Sequence, residues 1–128
     1  VYHFPFQDPP ESIEVYVDTD FLGCQSTRRS TSGGVAVIGK CTIKHWSKTQ
    51  STISLSSGEA ELHGIAMGRS QGLGIKSLLN DLGWNLKLLI WSGATAAIGT
   101  ARRKGLGKVR HLDCTDLWIR TNTDFEIL

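Results

Sequence analysis

Two stretches of this sequence carry side chains with the types and spacing for chemistry. The first is Asp18 and Asp20, which close the run Ile13-Glu14-Val15-Tyr16-Val17-Asp18-Thr19-Asp20. Two residues apart on an extended chain, they project to one side, where a carboxylate pair can hold a hard divalent cation or orient water. The same residues, with Gly23, also suit a plain turn. The second stretch runs from Arg102 to His111. Its cations Arg102, Arg103, Lys104, Lys108 and Arg110, punctuated by Gly105 and Gly107, suit a phosphate backbone or a solvated loop. His45 can serve as a ligand or base, or as a partly buried strand residue. Cys24, Cys41 and Cys114 show neither metal-ligand nor redox spacing, so reduced thiols are expected.

The elements that position these groups follow from periodicity. Ile13, Val15 and Val17 alternate with polar or amphipathic residues, the pattern of a strand with one buried face. Val35 to Ile38 predicts a second strand, with Gly39-Lys40 as the tight turn to a third strand over Cys41 to Ser47, an antiparallel meander. On that third strand Ile43, His45 and Ser47 share one face, and Thr42, Lys44 and Trp46 the other. Trp46 reads as a core residue or as a stacking platform for a base or sugar. Ser56-Ser57-Gly58-Glu59 reads as a helix start with a Ser cap and an acid in the first turn. Apolar stripes follow at Leu62, Ile65 and Ala66 and at Ile75, Leu78, Leu79 and Leu82. A break or kink is expected near Gly72 to Gly74, and Gly83 is the expected left-handed cap. Leu86 to Trp91 predicts a strand buried on both faces, Gly93 to Ala101 a helix-compatible stretch, and Leu112 to Arg120 a closing helix with Asp113 and Asp116 one turn apart. Three strands, helix, strand and helix predict an α/β layer fold with a mixed sheet.

With 128 residues, 40% hydrophobic and 20% charged, the chain is expected to fold as one domain with a real core. No apolar run approaches the roughly 20 residues that cross a bilayer, so no membrane partner and an intracellular location, cytoplasmic or nuclear, are expected. The net charge of +2 is mild, so any nucleic-acid preference must come from local clustering. Residues 1–12 hold all three prolines and read as a linker or cut edge, 13–121 as the domain, and 122–128 as a tail.

Several motifs, taken in order, resemble one family: Tyr16 to Phe21, Arg29-Ser30-Thr31-Ser32-Gly33-Gly34, Trp46-Ser47-Lys48-Thr49-Gln50, Leu55-Ser56-Ser57-Gly58-Glu59-Ala60-Glu61, and Arg110-His111-Leu112-Asp113. Together they resemble the ribonuclease H domain of copia-type retrotransposon Pol polyproteins, over Glu14 to Arg120. The resemblance implies an α/β ribonuclease H-like fold, with a five-stranded mixed sheet whose first three strands are antiparallel, flanked by helices. It also implies hydrolysis of the RNA strand of RNA–DNA hybrids by two divalent ions, Mg²⁺ or Mn²⁺, held by four acids, beside a reverse transcriptase domain of the same polyprotein.

Carried over by position, the first acid is Asp18 and the last is Asp113. The helix offers Glu59 and Glu61, which point to nearly opposite sides; the resemblance favours Glu61. Where the family has its third acid, after the strand at Leu88 to Ser92, this sequence has Gly93. A glycine binds no cation, so weakened or absent nuclease activity is expected, with Asp20 or Asp116 as partial substitutes. The alternative is a catalytically inactive nucleic-acid-binding or structural module. Hybrid binding is expected to rest on Arg102, Arg103, Lys104, Lys108 and Arg110, with Arg28 and Arg29 as further contacts.

Overall fold

The computed structural model describes residues 1–93 and 126–127. Three strands, β1 (Ser12–Asp20), β2 (Thr31–Ile38) and β3 (Cys41–Thr49), precede one long helix, α1 (Ser57–Asp81), and a fourth strand, β4 (Lys87–Ser92). A two-residue strand, β5 (Glu126–Ile127), pairs with the outer edge of β4. The sheet order is β3-β2-β1-β4-β5, with β1 antiparallel to β2, β2 antiparallel to β3, and β1 parallel to β4. Among the described residues this is a mixed α/β unit of four full strands and one helix. Of the expected fifth strand only Glu126 and Ile127 are seen, in a stretch the sequence pattern assigned to a tail. The helix-compatible stretch Gly93 to Ala101, apart from Gly93 itself, and the closing helix expected over Leu112 to Arg120 lie outside the described residues.

Each element forms for a local reason and is then fixed by packing. Ile13, Val15 and Val17 turn one face of β1 into the core, where they meet Leu62, Ile65, Leu88 and Ile90. Tyr16 and Trp91 lie on the other face and stack with ring centroids 6.1 Å apart. The strand continues through Asp18 to Asp20, and the turn begins only at Phe21. Likewise β2 starts at Thr31, so Ser32 and both following glycines belong to the sheet and not to the loop before it. On β3 the alternation is not perfect: a bulge opposite Ala36 and Val37 leaves Ile43 out of the pairing and sets Thr42 against Val37.

Helix α1 is capped at both ends. Ser56 Oγ accepts from Glu59 N at 3.2 Å, and Glu59 reaches back to accept from Leu55 N at 2.9 Å, a variant of the capping box. At the other end Gly83 has φ +89°, Gly83 N donates to Asn80 O and Trp84 N to Leu79 O, a Schellman closure. The expected kink at Gly72 to Gly74 is absent, and the helix runs unbroken. Gly64, Gly68 and Gly72 recur every four residues along the buried side, where an added Cβ would strike Thr19, Val17 and Leu88 respectively. The glycines therefore bring the helix axis close to the sheet. Tertiary contact offsets their helical cost of roughly 1 kcal/mol each. Leu78 and Leu82, assigned by spacing to an apolar stripe, are exposed.

Residues 1–12 are more than a loose edge. The Gln7 side chain clamps the β2–β3 turn, donating from Nε2 to Ile38 O at 3.1 Å and accepting from Lys40 N. That turn needs Gly39, whose φ is +59°. Tyr2 packs against His45 with centroids 5.7 Å apart, and His45 itself is exposed on β3.

Candidate functional site

The parallel pairing of β1 with β4 ends at Val17 opposite Ser92. The next residues of the two strands, Asp18 and Gly93, therefore leave the same end of the sheet side by side. Helix α1 delivers a second carboxylate there. Glu61 lies two residues after Glu59 of the first turn, and its carboxyl is pushed above its ordinary value, first by burial and then by the negative charge of Asp18. Two carboxylates thus share one site. Glu59 is committed elsewhere, to the helix cap at Leu55 N and to His63 at 3.9 Å, so of the two helix acids it is Glu61 that faces Asp18.

Asp18 is exposed, and one of its oxygens accepts from the next amide, Thr19 N, at 3.0 Å. Asp20 is drawn into the turn, where its carboxylate lies against Gly23, and its charge is not among the causes that raise Glu61. Position 93 is an exposed bend, and a Cβ built there meets nothing within 4 Å among the described residues. Asp113 and the basic residues Arg102, Arg103, Lys104, Lys108 and Arg110 lie outside the described residues, as does Asp116. Among the described residues no group of three His, Cys, Asp or Glu side chains is placed to hold a metal ion.

What the pattern of motifs did not reveal is how they meet. Gln50, the last residue of Trp46-Ser47-Lys48-Thr49-Gln50, is buried, and its Nε2 donates to Ser32 Oγ and Ala60 O, both at 2.8 Å. Its Oε1 accepts from Ser54 Oγ at 3.1 Å, and its backbone N donates to Ser30 O at 2.8 Å. One side chain thereby ties β2, the end of β3 and the first turns of α1 into a unit, which fixes where Glu61 stands. Trp46 packs against the core, its indole lying over Gly34, so its ring is spent on packing and not on a base. In the β1–β2 loop, hydrogen bonds from Ser26 and Thr27 lower the Cys24 thiol to about 7, away from the carboxylates in sequence and in partners.

No family model matches the chain. It is 44% identical over 57 residues to an uncharacterized mitochondrial protein of Arabidopsis thaliana, a match covering 44% of this chain and 23% of that protein. It is 27% identical over 118 residues to the retrovirus-related Pol polyprotein from transposon TNT 1-94 of Nicotiana tabacum, covering 91% of this chain and 9% of the polyprotein. Among solved structures it is similar, at 10% identity and a TM-score of 0.42, to a foamy viral protease–reverse transcriptase in complex with dsDNA, over 97% of this chain and 25% of that one. The chain spans less than a quarter of the length of either curated relative. The similarity that runs through nearly all of this sequence is to a small part of a retroelement Pol polyprotein.

Proposed function

We propose that this chain is a ribonuclease H-like domain of a retroelement Pol polyprotein, built to hydrolyse the RNA strand of RNA–DNA hybrids and weakened at one ligand position. The observation that carries this reading is the convergence of Asp18, Glu61 and position 93 at one end of the β1–β4 pair. Like charges held together without a cation oppose folding, and sites that hold them are often functional. Hard carboxylate oxygens with surplus negative charge fit Mg²⁺ or Mn²⁺. Asp18 and Glu61 would hold the ion, with Asp113 as the third ligand proposed from sequence. Such an ion supplies positive charge for activating water and for stabilising the leaving oxygen of an in-line displacement.

The chain's own residues do the positioning. The cap at Ser56 and Glu59 and the Gln50 junction hold Glu61 toward Asp18, and β1–β4 pairing brings position 93 alongside. Gly93 contributes no charge. Losing one carboxylate of four is expected to cost two to three decades in rate, or about 3–4 kcal/mol of transition-state stabilisation. The second reading, a nucleic-acid-binding or structural module that does not cleave, draws its support from Gly93 alone. RNA–DNA hybrid, held by the segment from Arg102 to Arg110, and the reverse transcriptase region of the same polyprotein are the proposed partners.

The test is cleavage of an end-labelled RNA–DNA hybrid in Mg²⁺ and in Mn²⁺, by the natural sequence, Gly93→Asp, and Asp18→Asn. Cutting by Gly93→Asp well above the natural sequence, with Asp18→Asn silent, supports the impaired enzyme. Silence of all three in both metals supports the module. Robust cutting by the natural sequence that Asp18→Asn abolishes shows that three acids suffice.

A further inference from the structure

The face of the sheet turned away from α1 carries an aromatic pair near its carboxylate end. Tyr16 on β1 and Trp91 on β4 are register partners, and their rings lie nearly parallel, with 9° between the planes and centroids 6.1 Å apart. Cross-strand contact accounts for the ring faces they turn to each other. It leaves the rest unexplained. Tyr16 is 43% exposed and Trp91 37%, although β1 and β4 each have a strand on both sides.

Register ties this pair to the site. Tyr16 and Asp18 are two residues apart on one extended strand, so they project to the same side, about 7 Å apart along it. Trp91 likewise stands two residues before position 93, and the charge of Asp18 in turn reaches Glu61. The β1–β2 loop leaves the same end of the sheet with Arg28 and Arg29, both exposed and without an ion pair among the described residues. Its backbone is held in place. Cys24 N donates to Arg29 O at 3.0 Å, Arg28 N to Cys24 O at 2.8 Å, and Leu22 N to Ser30 Oγ at 3.1 Å. Flat exposed rings beside carboxylates, with two cations on the adjoining loop, fit one nucleotide whose base lies on the rings and whose phosphate is met by arginine.

We propose that Tyr16 and Trp91 form a stacking platform for an unpaired base next to the carboxylates. The platform rests on the proposed function and narrows its substrate. Bases inside a duplex already stack on their neighbours and present no free face, so these rings take a base that has left the hybrid. The preferred substrate is then an RNA–DNA hybrid with a single-stranded overhang, and a blunt hybrid is the poorer one.

Fluorescence anisotropy with three probes tests this: a blunt RNA–DNA hybrid, the same hybrid with a short RNA overhang, and the overhang strand alone. The natural sequence is expected to bind the overhang hybrid about tenfold more tightly than the blunt one, the scale of one stacked base. In the double variant Tyr16→Leu, Trp91→Leu that ratio should fall to about one, whereas Trp91→Phe, which keeps an aromatic face, should retain most of it. The overhang should also quench tryptophan emission of the natural sequence by an amount missing from Trp91→Phe, a readout that does not depend on the double variant folding. Equal affinity for the two hybrids, a preference that the double variant retains, or quenching that Trp91→Phe leaves unchanged overturns the platform while the proposed function stands. If neither hybrid binds, the proposed function fails and the strand alone decides. Binding of that strand with quenching lost in Trp91→Phe upholds the platform, and its absence overturns it.

Discussion

Two polar clusters hang from the first turns of α1, and they are built on opposite rules. Around Gln50 donors meet acceptors: Ser32, Ser54, Ala60 and Ser30 each engage it, and the cluster is buried. Between Asp18 and Glu61 the protein sets acceptor against acceptor, and Glu61 is left harder to ionise, first by its burial and then by the charge of Asp18. A satisfied buried network stabilises and specifies a fold. A cluster of like charges does neither, and its maintenance beside so well-made a junction points to chemistry as its use.

The comparison can be broken most sharply at position 93. Restoring a carboxylate with Gly93→Asp is expected to raise hybrid cleavage by about two to three decades, and no gain over a natural sequence that does not itself cut would remove the carboxylate end from the catalytic account. Next in size is Gln50→Ala, which leaves buried Ala60 O, Ser32 Oγ and Ser54 Oγ short of a partner. Chemical denaturation should show a loss of about 3 kcal/mol, and a loss under 1 kcal/mol would mean that water replaces the amide. Gly68→Ala places a methyl against Val17, and overpacking of about 1–3 kcal/mol outweighs the helical gain of about 1 kcal/mol. A melting temperature equal to or above that of the natural sequence would show that α1 can lift off the sheet at no cost.

The smallest effect tests the carboxyl of Glu61, perturbed by burial and by Asp18. Glu61 has a raised value in the folded state, so the folded protein holds its proton to higher pH than the unfolded chain does. Stability should therefore fall as pH rises through and above the ordinary glutamate range, and below that range the effect vanishes. Glu61→Gln removes this slope and should be the more stable protein at neutral pH by about a few tenths of a kcal/mol, the scale of solvent-screened charge pairs. Thermal melts of both proteins at acid and neutral pH check it; parallel pH profiles would show that neither burial nor Asp18 perturbs Glu61.

Much of this architecture was legible wherever the signal was local. The alternation of Ile13, Val15 and Val17, the cap at Ser56 and the left-handed Gly83 each depend on neighbours a few residues away, and each formed as its spacing indicated. The kink expected from Gly72 and Gly74 did not form, because Gly72 answers to Leu88 and Val15, contacts invisible along a helix. Gln50 and Gln7 were unreadable for the same reason: Gln50 joins Ala60 and Ser32, 10 and 18 residues away, and Gln7 joins Ile38 and Lys40, 31 and 33 away. Of the site, Asp18 and Glu61 were named from motif position, and the charge of Asp18 is felt at Glu61, while Glu59 is engaged with Leu55 N and His63. The expected ligand Asp113 and the basic segment fall on residues the structure does not describe.

The parallel pairing of β1 with β4 also sets an order of events in time. The hairpin contacts of β1, β2 and β3 close over short loops, whereas Val17 must wait for Ser92 before the end of the sheet that carries Asp18 is complete. During synthesis at roughly 5–20 residues per second, the meander is exposed for several seconds before its partner strand emerges. The carboxylate end is thus among the last parts of the sheet to be assembled, and until then Asp18 has its β2 partner Gly33 on one side and no strand on the other.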